Sequence, residues 1–203
     1  MLMVSNYLEI ESLESLRRLL AIEGVVARCA FQCIDFTLMS EATERMYSDC
    51  IFMGCKIPEG MSARLDNRCY IFPSIRKPFN CFLPRLYDAA TLYAGFDPEC
   101  EESFNECYDT RVYRHYGGKG KVSSDISEML ARALHDHSMS DALQAMLARY
   151  DERRVVAVMG GHAVLRTDVN YIKIARISKR LAELGFLMVS GGGPGAMEAT
   201  HLG

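Results

Sequence analysis

FLMVSGGGPGAMEA, Phe186–Ala199, decides the reading of this chain. A short apolar run, Phe186 to Ser190, delivers the backbone into Gly191, Gly192, Gly193 and Gly195, and a helix-forming segment follows. A side chain at those positions would block a ligand's approach to the backbone, and glycine permits the positive φ of a tight turn. The N–H groups of Ala196, Met197 and Glu198 are expected to point into the loop, where a helix start suits a phosphate.

One strand earlier, RVVAVMGG (Arg154–Gly161) reads as a buried strand that breaks on a glycine pair. A helix from Asn170 to Leu184, with Lys173, Arg176, Lys179 and Arg180 on its charged face, joins the two strands and stops at Gly185. Parallel strands joined in this way bring both glycine turns to one carboxyl edge, where ligands of open α/β sheets bind. The candidate binding residues are Gly160, Gly161, His162, Ser190, Gly191, Gly192, Gly193, Gly195, Ala196 and Met197. His162 is either a ligand contact or a cap on its turn. The plainer alternative is that the glycines only pack a tight strand–helix turn. Gly191 to Ala196 also fits G-x-G-x-x-A, but the match follows the second strand of its unit, and no acidic residue stands about 20 positions on for a ribose, so an NAD dehydrogenase is discounted.

Upstream, short apolar runs alternate with helical patterns. Ser12 caps a helix with Leu13, Leu16, Leu19 and Leu20 on one stripe, ending at Gly24. Strands are expected at Val25–Phe36, Cys50–Gly54 and Cys69–Pro73, and helices at Ser40–Tyr47 and from Pro84 to Gly95. Asp125 and Glu128 read as a capping pair opening one helix, and a second runs from about Asp141 to Tyr150. The pattern predicts an α/β fold with a mainly parallel sheet and flanking helices. Phe96–Lys121, acidic and then Gly- and Lys-rich, is the expected boundary between regions 1–120 and 121–203. The two halves show no fixed period.

The net charge is −3, from 23 Lys plus Arg against 26 Asp plus Glu, which excludes a nucleic-acid footprint. No apolar run is long enough for a bilayer. The opening MLMVSNYLEIE lacks the basic and apolar regions of a secretory leader. The eight cysteines are therefore expected as buried, reduced thiols in the cytoplasm. Cys29/Cys33 and Cys50/Cys55 are only loose zinc spacings, and His135 and His137, two apart on a helix, do not share a face, so no metal is assigned. YDTRVYRHYGG (Tyr108–Gly118) interleaves arginine with aromatics, for base stacking, a subunit contact or plain amphipathic packing.

VVAVMGGHAV and LMVSGGGPGAMEATHLG together resemble the Lonely guy family of nucleotide-binding proteins, in particular its larger bacterial nucleotide 5′-monophosphate nucleosidases. The resemblance covers Arg154 to Gly203. It implies a modified Rossmann-like sheet and hydrolysis of the N-glycosidic bond of a nucleoside monophosphate to base and ribose 5-phosphate, without a cofactor. On this resemblance Gly160, Gly161, Gly191–Gly193, Gly195 and Met197 line the nucleotide site. The family's second signature, P-G-G-x-G-T-x-x-E, which carries its glutamate, does not occur here. The expectation is therefore the front part of a longer chain, an incomplete sheet, a homo-oligomer of dimer or higher order, and no catalytic residue. A non-catalytic nucleotide sensor is the alternative.

Overall fold

The structure is a computed structural model and describes residues 7–203. Met1–Asn6, part of the stretch read above as lacking a leader, lie outside the described residues. The chain is mixed α/β, with mainly parallel sheets and flanking helices. It forms two compact units that divide between Leu143 and Gln144, further along than the 120/121 boundary read from sequence.

In the first unit, β1 (Leu8–Ile10), β3 (Cys29–Gln32), β5 (Ile51–Met53) and β6 (Tyr70–Phe72) form one parallel sheet in that order. β2 (Val26–Ala27) and β4 (Tyr47–Ser48) form a second parallel pair. Leu8 pairs with Cys29, Val26 with Tyr47 and Ala30 with Ile51, so each partner lies 21 residues further on. The chain is coiling: each turn runs from a first-sheet strand, through a helical segment, to a second-sheet strand and back. α1 (Leu13–Leu20) and α2 (Ser40–Glu44) fill the helical segments. This short parallel solenoid is an internal repeat that the sequence reading missed.

Its corners explain why. The expected single strand from Val25 to Phe36 is broken at Arg28, whose φ is +55°, and Asp49 takes the same left-handed conformation (φ +53°) one coil later. Cys33 (φ +54°) and Gly54 (φ +61°) match at the opposite corner. Three of these four are not glycine, so the turns carry little local signature.

The repeat stacks like on like. Phe31 and Phe52 lie one coil apart, both fully buried, with ring centroids 5.0 Å apart and planes at 19°. Phe36 and Tyr47 meet this stack, and the buried Tyr47 hydroxyl donates to the Ala42 carbonyl at 2.7 Å. Burying each ring contributes about 2–3 kcal/mol. Cys29 and Cys50 also fall one coil apart and are buried, while Cys55 is half-buried with its thiol pushed up to about 11 by burial. Contrary to a uniform buried set, Cys33 and Cys100 are exposed. Cys29 and Cys33 do not converge: the Cys29 thiol donates to Ala27 O and the Cys33 thiol to Phe82 O.

The regular elements in the remainder of the first unit are helices, and residues 73–88 form none. The helix expected from Pro84 to Gly95 shrinks to α3 (Ala89–Leu92), because Asp88, not Pro84, caps it by accepting from Thr91 N–H. α4 (Tyr108–Lys119) lies within the stretch expected to be the boundary between regions; its Tyr108 and Val112 pack, half-buried, against the cluster of Phe79 and Phe82, while Tyr113 and Tyr116 are exposed. The two helices expected around Asp125–Tyr150 are one, α5 (Ile126–Leu147), since no glycine or proline stands between Leu134 and Asp141 to end it. Glu128 does not close a capping box. It turns inward and is fully buried, accepting from Lys77 at 2.9 Å, Arg132 at 2.8 Å and His115 at 3.0 Å.

The second unit carries β7 (Val155–Val158) and β8 (Leu187–Ser190), parallel and in register from Val155–Leu187 to Val158–Ser190. They form their own two-stranded sheet. α6 (Val169–Glu183) is the crossover between them, capped by Asp168, and α7 (Ala196–Leu202) follows the glycine loop. The two helices pack on each other, and both contact β8. Tyr171, Ala175 and Ser178 form the buried stripe of α6.

Candidate functional site

The pairing of Val158 with Ser190 fixes where the two glycine turns emerge. Both leave the carboxyl ends of adjacent parallel strands, as the sequence pattern required. They also touch. The Gly161 carbonyl accepts from Ala196 N–H at 3.1 Å and from Val164 N–H at 3.2 Å. That contact corrects one expectation: the Ala196 amide is consumed inside the fold and does not point freely into the loop.

The glycines divide by what a side chain would meet. A Cβ on Gly195 would lie 2.2 Å from Gly161 O and 3.1 Å from Val164 O, and one on Gly161 would lie 2.5 Å from Ala196 Cβ. Both have positive φ, +74° and +67°. These two are required by the close approach of one turn to the other. Gly160 and Gly192 also have positive φ, +82° and +70°, yet a Cβ on either would meet nothing within 4 Å. Packing does not explain these two. Gly191 and Gly193 face Met197: their Cβ positions fall 3.3 Å from its Sδ and 2.5 Å from its Cε. The half-buried Met197 therefore lies along the loop.

Ser190 closes the loop. Its Oγ accepts from Gly192 N–H at 3.1 Å and shares a 2.7 Å hydrogen bond with His201 Nε2 on α7. Neither side chain is buried. Sequence reasoning took Ser190 as a binding residue and passed over His201, whose partner is set by how α7 folds back beside β8. His162 is exposed at the first turn.

The other residue that sequence reasoning missed is Arg166, in the connection between β7 and α6. Its Nε donates to Glu198 Oε1 at 2.8 Å and its Nη2 lies 2.7 Å from the same oxygen. This guanidinium holds the Glu198 carboxyl below its ordinary range, against the opposing effect of burial, with Tyr171 and the Gly195 N–H adding smaller contributions. Glu198 is thus a carboxylate at the start of α7, where its charge also suits the helix dipole. The ion pair ties the first connection to α7, alongside the Gly161–Ala196 hydrogen bond. A 32-residue separation offers no pattern in sequence from which to find it.

Chemically, the arrangement presents exposed backbone at Gly160, Gly191 and Gly192, flanked by Met197 and His162. It can accept a polar or anionic group close to the main chain. In SGGGPGAMEATHLG the one carboxylate is Glu198, and it is committed to Arg166. No family model, curated protein or solved structure matches the chain, so the site is read from its own geometry.

Proposed function

We propose that the second unit binds a nucleoside 5′-monophosphate, with the phosphate held at the paired glycine turns of Gly160–Gly161 and Gly191–Gly193. One observation carries this reading. Gly160 and Gly192 sit at the ends of adjacent parallel strands in left-handed conformations, and both open onto free space. Glycine at positive φ with open space over its Cα leaves the main chain bare, which fits a surface that a ligand approaches closely. In this reading Met197 and His162, which flank the turns, contact the base or sugar.

The reaction proposed for a longer parent chain is hydrolysis of the N-glycosidic bond, releasing base and ribose 5-phosphate. Such chemistry needs a carboxylate acting on water or the sugar as oxocarbenium character develops. Glu198 is not assigned that role, because its charge is neutralised by Arg166. That same commitment favours the second reading, a nucleotide-sensing module, for these 203 residues taken alone.

Calorimetry with AMP, GMP and UMP, each against its nucleoside, tests the proposal. The expected result is saturable binding that is lost when the phosphate is removed. Equal binding of nucleoside and nucleotide, or no binding of either, would contradict it. A parallel assay of base release, by this chain and by any longer parent, separates hydrolase from sensor.

A further inference from the structure

Ser190 stands where β8 enters the glycine loop, and its hydroxyl is the middle of a short hydrogen-bonded chain. Oγ accepts from Gly192 N–H at 3.1 Å and lies 2.7 Å from His201 Nε2 on α7. A hydroxyl has two acceptor lone pairs and a single proton. The imidazole decides where that proton points. While Nε2 is an acceptor, the proton is spent on it. In the protonated ring both nitrogens are donors, so Nε2–H gives its hydrogen bond to Oγ. Both lone pairs are then occupied, one by Gly192 and one by His201, and the hydroxyl proton is free for another acceptor.

No other side chain competes for the ring. α7 packs on α6, β7 and β8. The two strands carry no titratable side chain. α6 carries Lys173, Arg176, Lys179, Arg180, Glu183 and the Tyr171 hydroxyl. On α7 itself, Glu198 is paired with Arg166. Among the described residues, the His201 ring has its hydrogen bond to Ser190 and none to these groups.

Taking the glycine turns as the phosphate site, on which this inference rests, we propose that Ser190 donates its hydroxyl proton to the phosphate and that His201 is the positioning residue that releases it. His201 acts through Ser190 and is not itself a contact of the ligand. The imidazolium form is the one that frees the hydroxyl. Part of the affinity for a phosphate monoester is therefore present at acid pH and is lost as pH rises through the range in which histidine titrates.

The probe is AMP, measured by calorimetry on the whole chain from about pH 8 down to about pH 5.5. Wild type is compared with His201→Gln, whose amide does not titrate, and with Ser190→Ala, which has no proton to release. Protonation of the AMP phosphate, the exposed His162 and the α6 cations are common to all three proteins and cancel in the ratio of affinities. Across this span the wild-type affinity, relative to either variant, is expected to rise about tenfold as pH falls, the worth of one hydrogen bond to a charged acceptor. Thermal unfolding confirms that each variant is folded. Should His201→Gln unfold, the ring-carbon NMR signal of His201 in the unaltered protein gives the decision. AMP is expected to increase the protonated fraction of that ring at fixed pH, because ligand and proton binding are reciprocal. An unchanged fraction, parallel pH profiles for wild type and His201→Gln, or a wild-type slope retained in Ser190→Ala would each overturn the proposal; the last would mean that the imidazolium charge acts without the hydroxyl. Absence of AMP binding at every pH would overturn the phosphate reading together with it, whereas AMP binding with parallel profiles overturns this proposal alone.

Discussion

Replacing the four turn glycines by alanine, one at a time, should split them into two groups. At Gly160 and Gly192 the new Cβ meets nothing within 4 Å, so the cost is that of an L-residue held at positive φ, about 1–2 kcal/mol. Alanine also restricts the unfolded chain, which returns about 0.4–1 kcal/mol. The net loss should be about 0–1.6 kcal/mol. At Gly161 and Gly195 the same backbone penalty applies, and a clash is added: 2.5 Å to Ala196 Cβ for the first, 2.2 Å to Gly161 O for the second. Relieving either contact moves the start of α7 and breaks the Gly161–Ala196 hydrogen bond, itself worth about 1 kcal/mol. The expected loss is about 3–5 kcal/mol, among the large values for a single substitution. Urea denaturation followed by circular dichroism, with amide exchange in α7, measures both groups. Ala196→Gly removes the atom that Gly161→Ala would strike, so the double variant should recover the clash but not the φ penalty. Equal losses at all four positions, or no rescue by Ala196→Gly, would refute the claim that the two turns abut.

The buried cluster gives a pH prediction. Burial raises the Glu128 pKa, but hydrogen bonds from Lys77, His115 and Arg132 outweigh it and bring the group to about 2, from an ordinary 4.5. A depressed folded-state value means that this stabilisation is complete above the unfolded pKa and is lost as pH falls from about 4.5 toward 2. Acid should therefore lower the Tm of the wild type more than that of Glu128→Gln, and parallel curves would count against the cluster. At neutral pH the same substitution should cost about 3 kcal/mol, because it leaves Lys77 and Arg132 facing a neutral amide. Phe31→Ala, which removes one half of the stacked pair, should cost about 3–5 kcal/mol in a denaturant titration, and a loss below 1 kcal/mol would mean that the coil does not stack as described. Arg166→Ala breaks a solvent-exposed pair and should cost no more than about 1 kcal/mol, with a difference from wild type that shrinks in high salt.

The second unit was largely legible in sequence. Its strands are continuous apolar runs that stop on glycine, and its crossover helix has a charged face and ends at Gly185. Ser12 as the cap of α1 was readable for the same local reason: its Oγ accepts from Ser15 N–H. The solenoid was harder to see because each strand has only two to four residues, too few for an alternating pattern to stand out. Its signal was present in RCAFQC (Arg28–Cys33) and DCIFMG (Asp49–Gly54), where cysteine and phenylalanine recur at 21 residues, but arginine, aspartate and cysteine at three of the corners do not announce turns. The inward turn of Glu128 and the pairing of Arg166 with Glu198 depend on which elements meet, and local spacing says nothing about that. The glycine string, for its part, could not show which glycines serve packing and which face open space. That division needed the contact between Gly161 and Gly195.

The most direct test of the nucleotide site is a backbone amide NMR titration of the assigned protein with AMP. The account predicts that the largest shifts fall on Gly160, Gly161 and Gly191–Gly193, and that adenosine leaves these signals nearly unmoved. Shifts centred on other residues, or the same pattern with adenosine, would contradict it.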